Sequence, residues 1–212
     1  MWCNHLSKKI VLGISGASGI VYTLKLIDIL CKLKSLDEIT SIYIIYTNNA
    51  IKVAKYELNI DLVKELLNKK CINGLYSDND WESHLASSSS TIGYSAVVVP
   101  CSMNVVANLA NGLQHRLLER ALYNIMRLGG KIILVIRETP LSTIDLENLV
   151  KLSRNGVIIM PASPGFYIRP KTIEDLIDFI VGKILDVLGI RHSIYKRWQE
   201  PSKENSLHQY PQ

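Results

Sequence analysis

The sequence predicts a doubly wound α/β fold, in which helices cover both faces of a parallel sheet, and three observations lead to it. Short runs rich in Val and Ile recur without polar alternation, as expected for strands that are buried on both faces. Helical patterns separate these runs. The first run ends in a loop, residues 15–19, that contains only Gly, Ala and Ser. Such small residues let backbone N–H groups approach a bound anion.

The elements follow one another in alternation. We predict strands over residues 10–14, 42–46, 96–99, 131–136 and 157–160. Apolar residues at helical spacing predict helices over 20–34, 48–57, 61–68, 114–128, 145–154 and 173–188, and Gly129-Gly130 ends the fourth of these. The segment 71–94 is Ser-rich and lacks strong periodicity, so we predict a long loop with a functional or mobile role.

Length and composition indicate one globular domain over residues 1–190. The chain has 212 residues, of which 48% are hydrophobic and 20% charged, which is enough apolar material for a sizeable core. Residues 191–212 are polar. We expect them to form a C-terminal arm that packs on a neighbouring subunit and has a disordered end.

The charge pattern favours a small anionic ligand over nucleic acid. The net charge is +5 and is spread along the chain, without an RNA-binding signature or a basic stripe interleaved with aromatic residues. No apolar run approaches the ~20 residues of a membrane span, and residues 1–7 lack the apolar core of a signal peptide. We therefore expect a cytoplasmic protein without a membrane span.

Cysteine and histidine spacing argues against a disulfide framework and a metal site. Cys3, Cys31, Cys71 and Cys101 are about thirty or more residues apart, which in a chain of this size predicts reduced thiols. The five histidines form none of the spacings typical of zinc ligands. We predict no bound metal.

Ligands of such folds bind outside the carboxyl ends of the strands. This rule selects five loops for functional residues, at 15–19, 47–49, 100–104, 137–143 and 161–170. The first loop has the spacing Gly13-x-x-Gly16-x-x-Gly19, which is neither the dinucleotide fingerprint nor a P-loop. From this loop alone, a mononucleotide site and a tight strand–helix turn without a ligand both remain open.

Taken together, these loops resemble those of the flavin prenyltransferase (UbiX-type) family over residues 8–198. The matching stretches are Gly13-Ile14-Ser15-Gly16-Ala17-Ser18-Gly19, Asn79-Asp80-Trp81, Ser87–Ser90, Pro100-Cys101-Ser102, Leu118-Glu119-Arg120-Ala121, Arg137-Glu138-Thr139-Pro140-Leu141 and Pro161-Ala162-Ser163-Pro164-Gly165-Phe166-Tyr167. Each stretch is a weak signal by itself, but seven in the same order are a strong one.

The resemblance implies a flavodoxin-like, Rossmann-like fold in a homododecamer with active sites at subunit junctions. It also implies transfer of a dimethylallyl group from dimethylallyl monophosphate to N5 and C6 of reduced FMN, without a metal. The product, prenylated FMN, would be the cofactor of a UbiD-type decarboxylase. The chain has no Asp-rich D-D-x-x-D motif for a magnesium-bound diphosphate.

By the same resemblance, three residues are assigned to catalysis. Ser18 and Glu57 would handle the proton of flavin N5, and Glu138 would act near the second bond that forms. The plainer alternatives are a helix cap for Ser18, solvated charge for Glu57 and a charged turn for Glu138. The residues that would bind FMN are Gly16, Ala17, Ser18, Thr47, Ser102, Met103, Arg120 and Arg137.

The resemblance also assigns the prenyl-donor site. Arg127, Arg137, Tyr167 and Lys183 would hold the donor phosphate, Trp81 and Trp198 would line the prenyl group, and Ser89 and Ser90 complete the set. Arg127 stands where the family usually has lysine, and Lys183 where it often has arginine. Because a guanidinium and an ammonium bind phosphate differently, monophosphate and diphosphate donors both remain open. Tyr123 replaces a common aspartate, for which the sequence offers no explanation.

Two other functions remain open. The first is an FMN-dependent decarboxylase of the same fold, and the second is a non-catalytic FMN carrier. Cys101 follows a predicted buried strand without a histidine paired to it in sequence. We therefore expect an inert buried thiol and no covalent catalysis through it. The decarboxylase that would receive the product is not identified by the sequence.

Overall fold

The computed structural model describes residues 9–36 and 39–198, and its centre is a six-stranded sheet in which every pairing is parallel. The strands lie in the order β3-β2-β1-β4-β5-β6. Their bounds are β1 Lys9–Ile14, β2 Ser41–Tyr46, β3 Gly74–Ser77, β4 Tyr94–Cys101, β5 Ile132–Ile136 and β6 Ile158–Pro161.

Seven helices cover this sheet, namely α1 Ile20–Ser35, α2 Asn48–Leu58, α3 Leu62–Leu67, α4 Met103–Ala110, α5 Leu117–Arg127, α6 Thr143–Arg154 and α7 Ile173–Leu188. One apolar core lies between the sheet and α1, α2, α3 and α7, and a second lies between the sheet and α4, α5 and α6. Within β1, Ile10 and Leu12 face the first core and Val11 the second. The prediction of a three-layer doubly wound fold is confirmed.

The strand order explains why this fold is both flavodoxin-like and Rossmann-like. With β3 included, the order is the 3-2-1-4-5-6 of dinucleotide-binding sheets. Without β3, the remaining five strands have the 2-1-3-4-5 order of flavodoxin-like sheets. In both cases the order reverses between β1 and β4, which pair along Ile10↔Ser95 and the following residues. A crevice at the carboxyl ends of these two strands is therefore the expected place for a ligand.

Two elements differ from the sequence-based prediction. The segment 71–94 contains the edge strand β3 and two 3-10 turns, His84–Ala86 and Ser88–Ser90. The strand escaped prediction because it is short and half-buried and thus lacks an apolar run. Helix α4 was also not predicted. It has only eight residues, which is less than the window over which helical periodicity becomes distinct.

The prediction of reduced thiols is wrong for Cys31 and Cys71, which form a disulfide. Their Cα atoms are 5.5 Å apart although the residues are 40 positions apart in sequence. Cys31 lies near the end of α1, and Cys71 lies between α3 and β3. The fold brings these two segments together, whereas spacing in the sequence could not show it.

The start of the polar C-terminal segment packs on its own chain. Tyr195 is buried against α7, where a Cβ at Gly182 would come within 2.3 Å of its ring. The predicted arm lies outside the described residues from position 199 onward, and its packing on a neighbouring subunit stays a prediction. No helix within 9–36 and 39–198 is long and apolar enough to cross a membrane.

Candidate functional site

The loops that follow β1 and β4 are joined by one buried hydroxyl, that of Ser15. Its Oγ donates a hydrogen bond to the Pro100 carbonyl at 2.9 Å and accepts one from the Ser102 backbone N–H at 2.7 Å. The Ser15 backbone N–H also reaches the Pro100 carbonyl at 3.3 Å. These bonds fix the two loops at the point where the strand order reverses. Both walls of the expected crevice are therefore held in register.

Gly16 brings the first loop against α2. A Cβ at this position would lie 2.4 Å from the Cβ of Asn49, so only glycine allows the approach. Next to it, Thr47 begins α2, and its hydroxyl accepts a hydrogen bond from the Ala50 N–H at 3.1 Å. Thr47 thus acts as a helix cap, and the predicted role toward FMN stays a prediction.

Glu57 reaches across from the end of α2 to the start of α1. Both of its carboxylate oxygens accept from the Gly19 N–H at 3.0 Å, and Oε2 accepts from the Ile20 N–H at 3.1 Å. The positive end of the α1 dipole is therefore matched by a carboxylate of the chain itself. Burial, together with this negative charge, raises the pKa of the neighbouring Tyr22 phenol.

This contact changes the interpretation of the glycine-rich loop. The N–H groups of Gly19 and Ile20 are engaged by Glu57, so a bound anion would have to use the earlier part of the loop. Ser18 is exposed and directly precedes Gly19. Its side chain forms no hydrogen bond to another residue in the described ranges, which leaves its hydroxyl available beside the Glu57 carboxylate.

Arg120 connects α5 to the serine-rich segment. Its Nε donates to the Ala86 carbonyl at 2.9 Å, and Nη1 donates to Gln114 Oε1 at 2.8 Å. Nη2 has no hydrogen-bond partner in the part of the chain that is described. Ser89 and Ser90 lie in the adjacent 3-10 turn, where the Ser89 and Ser87 hydroxyls are 2.9 Å apart. The segment therefore presents hydroxyls and one free guanidinium nitrogen together.

Ser102 and Met103 begin the helix that follows β4. Ser102 precedes the first residue of α4, Met103, and its hydroxyl caps no N–H group of that helix. Both residues are half-buried. The Ser102 hydroxyl is thus available at the switch point in the strand order, and the contact with FMN that the resemblance implies stays a prediction.

Arg137 and Glu138 directly follow β5. Arg137 Nη1 is 4.0 Å from Glu138 Oε1, and both side chains are about two-fifths exposed. Arg137 Nε is buried and has no hydrogen-bond partner among the described residues. A buried guanidinium N–H without a partner is costly, and an anionic ligand at this edge of the sheet would satisfy it.

Trp81 lies at the mouth of a separate cavity. Its side chain is 46% exposed and lines a space of about 570 Å³ that is shared with Asp80, Glu82 and His84. Burial lowers the pKa of His84, so its imidazole is neutral at pH 7. The cavity carries carboxylates rather than cations, which suits the organic part of a ligand better than its phosphate.

Lys183, on α7, lies among aromatic rings. Its Nζ is 5.4 Å from the centroid of Phe179 and 5.2 Å from that of Tyr195. A hydrogen-bonding interaction with the Tyr195 hydroxyl raises the pKa of Lys183, which keeps its ammonium charged. Tyr167 packs edge-on against Phe179 at 5.7 Å and against Trp198 at 5.5 Å. We call these five residues the aromatic–cation cluster.

Arg127 is held elsewhere, at the end of α5. Its Nη2 donates to Asn124 Oδ1 at 3.0 Å, and its guanidinium carbon is 5.8 Å from the centroid of Tyr123. No hydrogen bond, ion pair or ring contact in the described ranges joins Arg127 to Arg137 or to the aromatic–cation cluster. One protomer therefore brings Tyr167, Lys183 and Trp198 together but does not add Arg127 to them. Tyr123, unexplained by the sequence, stacks on the guanidinium of Arg127.

Cys101 is fully buried within β4. Burial, reinforced by the charge of Glu119, raises the pKa of its thiol, so the reactive thiolate is not populated near neutral pH. No group of three or more His, Cys, Asp or Glu side chains in the described ranges could hold a metal ion.

Two residues with several structural contacts were missed by the sequence reasoning, Ser15 and Asp186. Ser15 lies in the loop that the sequence singled out, but its role depends on partners 85 and 87 residues away. Asp186 binds three side chains of the C-terminal segment. The only available signal for it was a carboxylate in α7 followed within eleven residues by His192, Tyr195 and Arg197.

The geometry agrees with what comparison with known proteins finds. Residues 3–185 match the family model described as Flavoprotein. A relative named flavin prenyltransferase UbiX, from Saccharolobus solfataricus, is 47% identical over 91% of this chain and 93% of its own length.

Two solved structures share the fold with a TM-score of 0.82 and 29% identity. One is a UbiX protein in complex with FMN and dimethylallyl pyrophosphate, with 92% of this chain and 98% of that chain covered. The other is a dodecameric FMN-dependent UbiX-like decarboxylase from Escherichia coli O157:H7, with 90% and 99% covered. The chain described here therefore belongs to the flavoprotein family and, within it, to the flavin prenyltransferase UbiX family.

Proposed function

We propose that the protein transfers a dimethylallyl group from a dimethylallyl phosphate to N5 and C6 of reduced FMN, yielding prenylated FMN. The observation that carries the proposal is the aromatic–cation cluster. An allylic phosphate needs a cation where its phosphate leaves and aromatic faces where positive charge develops on carbon. Lys183, which lies 5.4 Å from the centroid of Phe179, supplies the first. Tyr167 and Trp198 supply the second, and Tyr167 contacts both Trp198 and Phe179.

The residues at the switch point fit FMN. Gly16 lets the first loop pack closely against α2, and the exposed Ser18 and the half-buried Ser102, whose hydroxyl caps no N–H group, offer hydroxyls. Arg137 Nε and Arg120 Nη2, which have no hydrogen-bond partner among the described residues, are suited to phosphate or flavin oxygens. When bound in its reduced form, FMN supplies two nucleophilic ring positions to the reaction.

The side chains of the protein would manage charge and protons. The C–O bond of the donor breaks with its electron pair staying on the phosphate, and the charge that grows there is met by Lys183, Arg137 and the Tyr167 hydroxyl. Ser18 would take the proton that is displaced from N5 and pass it to the Glu57 carboxylate. Glu138 would supply a proton to the alkene for the second bond, and the released phosphate would accept the ring proton from C6.

Positive side chains would take the place of a divalent cation at the donor phosphate. In one protomer, Arg127 lies apart from the aromatic–cation cluster. We infer that the site is completed at a subunit junction, where Arg127 of a second copy can reach the phosphate. The dodecameric assembly of a relative supports this inference. We further propose a UbiD-type decarboxylase as the recipient of the product and the cytoplasm as the place of the reaction.

The decisive experiment is an anaerobic incubation of the protein with reduced FMN and dimethylallyl monophosphate, followed by mass spectrometry of the extracted flavin. We expect a flavin heavier by one five-carbon unit, formed equally well with EDTA present, and a strong loss of product in Arg137→Ala. Dimethylallyl diphosphate is tested in parallel because the exchanged Arg127 and Lys183 affect donor choice. Unmodified flavin with both donors would overturn the proposal and favour an FMN carrier or an FMN-dependent decarboxylase.

A further inference from the structure

Asp186 lies at the centre of a hydrogen-bond network next to the aromatic–cation cluster. Its Oδ2 accepts from the Tyr195 hydroxyl at 2.6 Å, and its Oδ1 lies 2.6 Å from Arg197 Nη2 and 3.0 Å from His192 Nε2. All three partners belong to residues 192–198, which follow α7. One carboxylate on α7 thus binds three side chains of the segment that ends in Trp198.

The network extends to Lys183 through Tyr195. The Tyr195 hydroxyl donates to Asp186, and Lys183 Nζ lies 5.2 Å from the centroid of the Tyr195 ring. The Tyr195 ring also forms one of the two aromatic faces around Lys183. Because Lys183 and Asp186 are three positions apart in a helix, they lie on neighbouring parts of one surface. Tyr195 spans them and restricts where the ammonium can go.

We propose that Asp186 is a positioning residue for the prenyl donor, which holds residues 192–198 on α7 and thereby fixes Lys183 and Trp198. This inference rests on the proposed function. Asp186 itself need not touch the donor, because it acts through Tyr195 on Lys183 and through Arg197 on the adjacent Trp198. A misplacement of about 1 Å at such groups is enough to reduce catalysis severely.

Gly182 provides a second, independent observation in support of this role of Asp186. Glycine is less favourable than alanine in a helix interior. Here a Cβ would lie 2.3 Å from Tyr195 Cδ1 and 3.0 Å from His192 Cε1. Gly182 thus makes room for the ring that Asp186 binds. Gly182→Ala should displace Tyr195 without altering any charge, and it gives an independent way to release the segment.

Steady-state kinetics of Asp186→Ala, Asp186→Asn and Gly182→Ala test the proposal. We expect Asp186→Ala and Gly182→Ala to raise KM for dimethylallyl monophosphate about tenfold while FMN affinity stays within about twofold. Asp186→Asn, which keeps one acceptor for Tyr195, should have a smaller effect and covers the case in which Asp186→Ala fails to fold. Asp178→Asn is the matched control, because Asp178 is on the same helix and pairs with Lys25 at 2.7 Å rather than with residues 192–198.

A double-mutant cycle separates positioning from general stability. In a Lys183→Met background, Asp186→Ala should raise KM clearly less than tenfold, because one of the two residues on which it acts is absent and only the effect on Trp198 remains. An undiminished tenfold effect in that background would overturn the proposal, as would an equal effect of Asp178→Asn.

Limited proteolysis provides a readout that does not need turnover. Trypsin cleavage after Lys196 and Arg197 should be much faster in Asp186→Ala than in the original chain or in Asp178→Asn. Equal cleavage rates in the three proteins would overturn the proposal that Asp186 holds residues 192–198 on α7. If the protein made no prenylated flavin, the proposed function would fail, while this cleavage would still report on the segment.

Discussion

Both carboxylate oxygens of Glu57 lie 3.0 Å from the backbone nitrogen of Gly19, which joins the end of α2 to the start of α1. The contact sets a carboxylate one residue away from Ser18, the serine proposed to take a proton from the flavin. A negative charge in this place interacts favourably with the positive end of the α1 dipole.

Glu57→Gln should bind FMN but stall product formation. The amide keeps the shape and one acceptor oxygen, yet it cannot take up a proton, and general-base catalysis commonly contributes about 10²–10⁴-fold. We expect FMN affinity within about twofold of the original protein and a loss of prenylated flavin of at least ~100-fold. Flavin titration and single-turnover mass spectrometry measure the two quantities. Glu65→Gln, on α3, serves as a control. Full turnover by Glu57→Gln would refute the relay.

Gly16→Ala should weaken FMN binding. The new Cβ would lie 2.4 Å from the Asn49 Cβ, so the loop must move away from α2 and lose its position at the switch point. We expect at least a roughly tenfold rise in the Kd of FMN, measured by flavin fluorescence. Asn49→Gly removes the opposing Cβ, so the double variant should recover most of the affinity. An unrecovered double variant would show that the clash is not the cause.

Reduction of the Cys31–Cys71 disulfide should lower thermal stability. The bond closes a loop of 40 residues, and the chain-entropy relation assigns such a loop about 4 kcal/mol. For a domain of this size, that corresponds to a decrease in Tm of about 8–15 °C. Calorimetry with and without dithiothreitol measures the change. The double variant Cys31→Ala/Cys71→Ala should have the Tm of the reduced original protein, whether or not dithiothreitol is present. If reductant lowered the Tm of that variant equally, another cause would be required.

Stability should fall below about pH 4 partly through Asp186. Burial alone would raise the pKa of this carboxyl, but the hydrogen bonds from Arg197, Tyr195 and His192, with Lys183 nearby, lower it overall. A carboxyl with a folded-state pKa below the unfolded value of ~3.9 stabilises the fold above that value. The stabilisation is lost as pH falls through the folded-state pKa.

Urea unfolding between pH 5 and pH 3 measures this dependence. The free energy of unfolding of Asp186→Asn should fall less steeply over this range than that of the original protein. Asp145 and Asp175, the exposed carboxylates in the capping boxes of α6 and α7, also have lowered pKa values. They contribute to the pH dependence of stability that remains in Asp186→Asn. Identical slopes for the two proteins would contradict the assignment to Asp186.

The sequence predicted those parts of the fold that have a strong local pattern. The five predicted strands are short runs rich in Val and Ile, and their positions located the loops at the carboxyl edge. β3 has only four half-buried residues, and α4 has eight, so neither shows a distinct period. The Cys31–Cys71 bond depends on the packing of α1 against the loop after α3, which no local pattern encodes.

For the site, the strand ends located the loops that carry Ser18, Ser102 and Arg137, and the family resemblance assigned roles to these residues. Contacts were not. Thr47 caps α2, Glu57 binds the start of α1, and Arg127 stacks on Tyr123 rather than joining Lys183. These differences arise because each side chain first satisfies its neighbours in the fold. Asp186 and Gly182 were missed because their importance comes from Tyr195, which lies on the other side of a turn.

The Ser15 hydroxyl has a consequence for how the protein is made. Its two partners, Pro100 and Ser102, leave the ribosome 85 and 87 residues after it does. Until then the glycine-rich loop lacks the contacts that shape it. Synthesis at about 5–20 residues per second leaves an interval of several seconds. During this interval the nascent chain already contains the glycine-rich loop but not yet the two residues that hold this loop in place.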